Sequence, residues 1–132
     1  MKQTLTESLI ETIELVRAGK LDADAHFLET DFAELLEICN ACGAQGSRLP
    51  VPQTAWRMNI KPMCHIHDTD YHFYTTIKGK KRADRRMRNN GHRLVRMWSS
   101  WILRRVRQLR IQTYYVMVKR FGGEAFWDGK NG

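Results

Sequence analysis

Residues 64–74 read CHIHDTDYHFY, so three histidines, two aspartates, a cysteine and three aromatics fall within eleven positions. These residue types move protons near neutral pH and hold metal ions. On a helix, Cys64, His67 and Tyr71 lie at i, i+3 and i+7 and share a face. Asp68 and His72 sit on the adjoining flank, and His65 points elsewhere. Neighbours such as His67 and Asp68 do not pair on one face. They can offer a base to one partner and an oxygen ligand to another. A zinc reading is also open. Cys39 and Cys42 have C-x-x-C spacing, and Cys64 with His67 or His65 would complete four ligands. Against it, the second half of that set is not C-x-x-C, and Cys39 also fits the apolar stripe of a helix.

The elements that must position these residues are mainly helical. Thr4 and Glu7 have capping-box spacing, Leu5, Ile10, Ile13 and Val16 form a stripe, and Gly19 is a stop. A second helix is expected from Thr30 or Asp31, with Phe32, Leu35, Leu36 and Cys39 inward and Gly43 at its end. Residues 43–61, with Gly43, Gly46, Pro50 and Pro52, read as a long loop. Pro62 suits the first turn of a third helix, expected to run to Lys78-Gly79-Lys80. A fourth is expected from Lys81, bent or broken at Asn89-Asn90-Gly91. From His92 to about Arg120, the residues Leu94, Trp98, Trp101, Ile102, Val106, Leu109, Thr113 and Val116 fall near one face, which predicts an inward stripe with both tryptophans in the core. Phe126-Trp127 reads as an aromatic anchor. No strand is predicted. His65, His72 and His92 are expected at the surface and Cys39 in the interior.

Length and charge bound the rest. The 132 residues fit one compact domain. No run of eighteen apolar residues occurs, and the N-terminus lacks a secretory apolar region, so a cytoplasmic protein is expected. Residues 1–40 hold nine acids and three bases, whereas residues 41–132 hold five acids and nineteen bases. Such a basic surface suits an anionic membrane, nucleic acid or an acidic protein, or serves solubility alone. Neither an RNP signature nor finger spacing is present. Three cysteines are too few for a secreted disulfide scaffold.

Three segments carry a resemblance to a known family. Cys42-Gly43-Ala44-Gln45-Gly46 is similar to a Cys-Gly-x-Gly-Gly calcium loop. Cys64-His65-Ile66-His67-Asp68-Thr69-Asp70-Tyr71 is similar to a Cys-x-x-His-Asp-x-x-Tyr helix. Lys81-Arg82-Ala83-Asp84-Arg85 is similar to a basic-Ala-Asp segment on a facing helix. Together they resemble the phospholipase A2 superfamily, and more closely the small phage and prophage proteins with that core. The tail from Tyr114-Tyr115 to Phe126-Trp127 fits the phage versions. The resemblance covers roughly residues 38–128; its helix motif is specific, and its loop motif alone is weak.

The resemblance implies a core of two antiparallel helices with a long calcium-type loop, over residues 38–132, and an extra acidic helical segment over residues 1–37. It implies that His67 is a general base, that Asp84 holds its other ring nitrogen, and that Tyr71 braces the pair. Asp68 and the backbone carbonyls of Ala41, Gly43 and Gln45 would hold Ca2+. A bridge between Cys42 and Cys64 is implied too, although a cytosol would keep the two as neighbouring thiols. Gln45 stands where the family has glycine, and Asp70 where secreted members have cysteine. The function expected is calcium-dependent hydrolysis of a phospholipid sn-2 ester at an anionic phospholipid surface. The first alternative is a catalytically silent phage-encoded basic protein that binds nucleic acid or a host defence complex in counter-defence. In it, His67 and Asp84 form a buried pair that only fixes two helices together. The second is a Zn2+-stapled nucleic-acid-binding domain.

Overall fold

A computed structural model of the chain describes residues 3–39, 54–55, 58–127 and 130. Its described elements are α1 (Leu5–Arg17), α2 (Ala25–Glu29), α3 (Phe32–Ile38), β1 (Thr54–Ala55), β2 (Met58–Asn59), α4 (Lys61–Phe73), α5 (Ile77–Trp98), α6 (Trp101–Phe121) and α7 (Gly123–Trp127). The protein is therefore mainly helical. The two short strands pair antiparallel, with Thr54 opposite Asn59 and Ala55 opposite Met58. That pairing departs from the strandless expectation; two-residue strands are too short to leave an alternating pattern in the sequence.

Local chemistry sets several boundaries. The Thr4 hydroxyl accepts from the Glu7 amide at 3.1 Å and the Glu7 carboxylate accepts from the Thr4 amide at 3.3 Å, closing the capping box of α1. Gly19 follows the helix at φ 74°, where a side chain would be strained. Pro62 lies in the first turn of α4. That helix ends at Phe73, earlier than expected, because Thr76 caps a new one: its hydroxyl accepts from the Gly79 amide at 3.0 Å. Helix α5 thus begins at Ile77 and not at Lys81. A short α2, absent from the sequence reading, precedes α3, and Phe32 is partly exposed at 36 %.

Helix α4 is central. It packs against α1, α2 and α3 on one side and α5 on the other, and Pro62 through His67, Thr69 and Asp70 are all buried. Leu9, Phe27 and Leu35 from the N-terminal helices join Met63 and Ile66 of α4, Leu94 and Val95 of α5 and Ile111 of α6 in the core. Helices α5 and α6 form the other large packed pair.

Asn89-Asn90-Gly91 does not break α5. A Cβ on Gly91 would lie 2.7 Å from Ile111 Cγ2 and 2.9 Å from Met63 Sδ, so the glycine lets α4 and α6 close on α5. The Asn90 side chain accepts from the Asp22 amide and donates to the Asp22 carbonyl, both at 2.8 Å. The real break falls at Ser99-Ser100, between α5 and α6.

The expected inward stripe of the last long helix is also corrected. Arg107, Ile111, Tyr114 and Val118 are the buried residues of α6. Trp98 is 39 % exposed, Trp101 80 %, Ile102 66 % and Leu109 67 %. Phe126 of α7 is buried and meets the Tyr71 ring edge-on at 5.1 Å, as an anchor should.

Gly91→Ala is expected to lower stability by about 1–3 kcal/mol, because the β-branched Ile111 has little freedom to yield. Urea unfolding followed by circular dichroism measures it, and an unchanged midpoint would show that the helices do not pack this closely.

Candidate functional site

The Asp84 carboxylate of α5 is 2 % exposed and gathers three donors. His67 Nε2 lies 2.9 Å from Oδ1, the Tyr71 hydroxyl donates to the same oxygen at 2.7 Å, and Lys80 Nζ donates to Oδ2 at 2.8 Å. Lys80 also donates to the Val118 carbonyl of α6 at 3.0 Å. Burial alone would raise the Asp84 carboxyl; the bonds from His67, Lys80 and Tyr71 prevail and hold it below the ordinary carboxylate value. An ionised carboxylate only accepts, so Nε2 of His67 must carry the proton. The lone pair of the neutral ring is then on Nδ1, for which the described residues supply no partner.

Two turns of one helix and two of another make this arrangement. His67 and Tyr71 are one turn apart on α4, with ring centroids 4.1 Å apart. Lys80 and Asp84 are one turn apart on α5. The end of α6 closes the cluster: a Cβ on Gly122 would stand 2.7 Å from the Tyr71 hydroxyl. The Tyr71 proton is held firmly, since burial raises its pKa and Asp84 raises it further.

The structure thus brings together His67, Asp84 and Tyr71. Asp68 is half-buried on α4 and engaged by a partner. Ala41, Gly43 and Gln45 lie outside the described residues, as does Cys42. Cys64 is disulfide-bonded, which leaves it no thiolate for a metal. Cys39 is a buried free thiol that donates to the His65 carbonyl at 3.4 Å, and burial pushes its pKa up to about 12. Neither sulfur is therefore set up as a zinc ligand.

Lys80 escaped the sequence reading, although its i, i+4 spacing to Asp84 carries the signal. Arg86 escaped it too. Its guanidinium bonds Asp70 and Asp24 at 2.9 Å each and Asp22 at 2.9 Å, and it donates to the Tyr74 hydroxyl. His26 Nε2 adds a 2.8 Å contact to Asp70. Asp24, His26 and Asp70 are close enough to bind one metal ion, but the guanidinium already occupies both carboxylates and would repel a cation. A concavity of about 300 Å³ lined by Lys20, Arg93, Arg96 and Met97 involves none of these groups.

His65 is a correction. It is fully buried, and its Nε2 lies 2.8 Å from the Ser8 hydroxyl of α1, while Nδ1 has no partner. Burial, aided by the Lys61 charge, lowers its pKa to about 4. His72 is exposed as expected, and His92 is half-buried.

No protein-family model, curated protein or solved structure matches this chain.

The buried His65 sets a pH dependence. Its folded pKa, about 4, lies below the unfolded value of 6.5, so the unfolded chain binds the proton first. The stability it confers is complete above pH 6.5 and is lost as pH falls toward 4, by about 3 kcal/mol. Urea unfolding from pH 7 to 4 should show this slope in the wild type and a shallower one in His65→Gln. Parallel slopes would mean that His65 is not buried neutral.

Proposed function

We propose that the protein is a phospholipase A2-like hydrolase of phage or prophage type that cleaves a phospholipid sn-2 ester. One observation carries this reading: the His67–Asp84 bond at 2.9 Å, which fixes the tautomer and leaves Nδ1 as the base nitrogen. Nδ1 takes a proton from water as the water attacks the ester carbonyl. Asp84 holds the ring in place and offsets the charge that the imidazolium gains, in the manner of a carboxylate behind a catalytic histidine. Tyr71 and Lys80 keep the carboxylate oriented.

Calcium belongs to the same proposal. Asp68 follows His67 directly and offers a hard carboxylate oxygen, the donor type that calcium prefers, and the carbonyls of Ala41, Gly43 and Gln45 would complete the set. When bound, the ion supplies positive charge to a developing oxyanion.

A second reading is favoured by Lys80. Its ammonium already neutralises Asp84, as in a structural ion pair. In that reading the cluster is only a clamp between helices, and the basic protein binds nucleic acid or an acidic host protein.

Vesicles containing phosphatidylglycerol, with calcium, provide the test. Fatty acid should be released, chelator should stop the release, and His67→Ala should lower the rate by about 10²–10⁴-fold. Tyr71→Phe, which keeps the ring, should cost less than about tenfold by the same scale. No release from the wild type, together with nucleic-acid retardation that is steep in salt and indifferent to His67→Ala, would instead establish the binding protein.

A further inference from the structure

Arg86, Asn90, Arg93 and Met97 lie at i, i+4, i+7 and i+11 along α5, so they share one face of that helix. The segment that follows α1 is fastened to this face. Arg86 bonds the Asp22 and Asp24 carboxylates, and Asn90 holds the Asp22 backbone through two bonds of 2.8 Å. Gly19, at φ 74°, turns the chain out of α1, and the buried Leu21 anchors the segment in the core. Lys20 stands between these two fixed residues with its side chain exposed. It lines a concavity of about 300 Å³ together with Arg93, Arg96 and Met97.

Charge is balanced at one end of this face and not at the other. Arg86 is matched by Asp22, Asp24 and Asp70. Further along, Lys20, Arg93 and Arg96 border one space, and among the described residues their side chains have no hydrogen bond or ion pair. No acidic residue occurs between Asp84 and Glu124, and the acids that follow Lys20, Asp22 and Asp24, are already bonded to Arg86. Arg93 is half-buried. A guanidinium partly withdrawn from water without an acceptor is costly, and an anion that supplies the acceptors offsets that cost. Phosphoryl oxygens suit this lining, since arginine grips them with two parallel bonds and lysine meets them as a point charge. One phosphomonoester carries a charge of about −1.5 to −2 near neutral pH, so two linked phosphoryl groups come closest to three cations. A nucleic-acid strand spreads single charges along its length and does not concentrate them at one spot. The remaining lining residue, Met97, offers a polarisable thioether, a good surface for an aromatic ring.

We propose that this concavity binds a soluble diphosphate ester of the nucleoside diphosphate class. Lys20, Arg93 and Arg96 hold the phosphoryl oxygens, and the organic group lies against Met97. Because the segment carrying Lys20 is already tied to α5 at Asn90, little backbone ordering is left for the ligand to impose. The site shares no residue with the Asp84 cluster, so it stands whether or not the protein is a hydrolase.

Isothermal titration calorimetry with ADP and AMP, free of divalent cations, tests the site without any catalytic readout. ADP should bind the wild type about tenfold or more tightly than AMP, because it adds a second charged acceptor group, and more weakly as salt rises. Lys20→Gln, an exposed single change, should cost about tenfold in ADP affinity, and Arg93→Gln with Arg96→Gln about a hundredfold. Arg105→Gln with Arg110→Gln removes the same charge from exposed positions of α6 and should leave ADP binding within about twofold, since distant exposed charges are screened. Circular dichroism verifies the helix content of each variant. No ADP binding to the wild type overturns the proposal, as does equal binding of AMP and ADP, or an equal loss in the two double variants. If ADP fails while a short single-stranded oligonucleotide or phosphatidylglycerol vesicles bind and are lost in Arg93→Gln/Arg96→Gln, the concavity belongs to nucleic acid or to lipid headgroups, and the proposal is again overturned.

Discussion

The buried negative charge of Asp84 is the constraint on which the rest of the helical arrangement depends. A carboxylate removed from water is costly unless every lone pair finds a donor. Asp84 meets that demand with His67 and Tyr71 from α4 and Lys80 from its own helix. Lys80 then brings α6 in through the Val118 carbonyl. Three helices are thereby fixed in rotation and register around one side chain. Hydrophobic contact between them would tolerate sliding; a hydrogen-bonded charge does not. Gly91 and Gly122 serve the same geometry, since each lets a neighbouring helix come closer than a side chain would allow.

Arg86, two residues further along α5, applies the complementary rule. It is a buried cation that gathers acceptors: Asp70 from α4, Asp22 and Asp24 from the segment before α2, and the Tyr74 hydroxyl. Two of the nine acids in residues 1–40 thus have a local role. They close the coordination of one guanidinium, and Asn90 ties down the backbone at Asp22. Together with Ser8 against His65, these bonds join the N-terminal helices to the α4–α5 core.

Much of this was legible in the sequence, for reasons that differ by element. The capping box of α1 and the proline of α4 act within one turn, so their residues suffice. His67 and Tyr71 share a face by helical period alone, while Asp84 as their partner came from resemblance, since no local rule reaches across 17 residues. Where reading failed, tertiary contacts had overridden local preference. Asn89-Asn90-Gly91 has turn chemistry, yet Gly91 is there for close packing. His65 was taken for a surface residue because an outward face was assumed, whereas α4 is covered on both sides and has almost none. In α6, periodicity located an apolar face correctly but could not tell that a second set, Ile111, Tyr114 and Val118, would be the one buried. The hydrophobic pattern states what a face is made of and not what covers it.

Lys80 gives the His67 site a character that a bare histidine–aspartate pair lacks. With His67 neutral, the ammonium and the Asp84 carboxylate cancel. If Nδ1 gains a proton, the cluster carries a net positive charge in a region where His67 itself is only 7 % exposed. A simple pair would pass from negative to neutral in the same step. The extra positive charge must be balanced from outside the cluster, and a forming oxyanion beside Nδ1 would balance it. In the hydrolase reading, proton capture would then be coupled to the arrival of an anion in the reacting position.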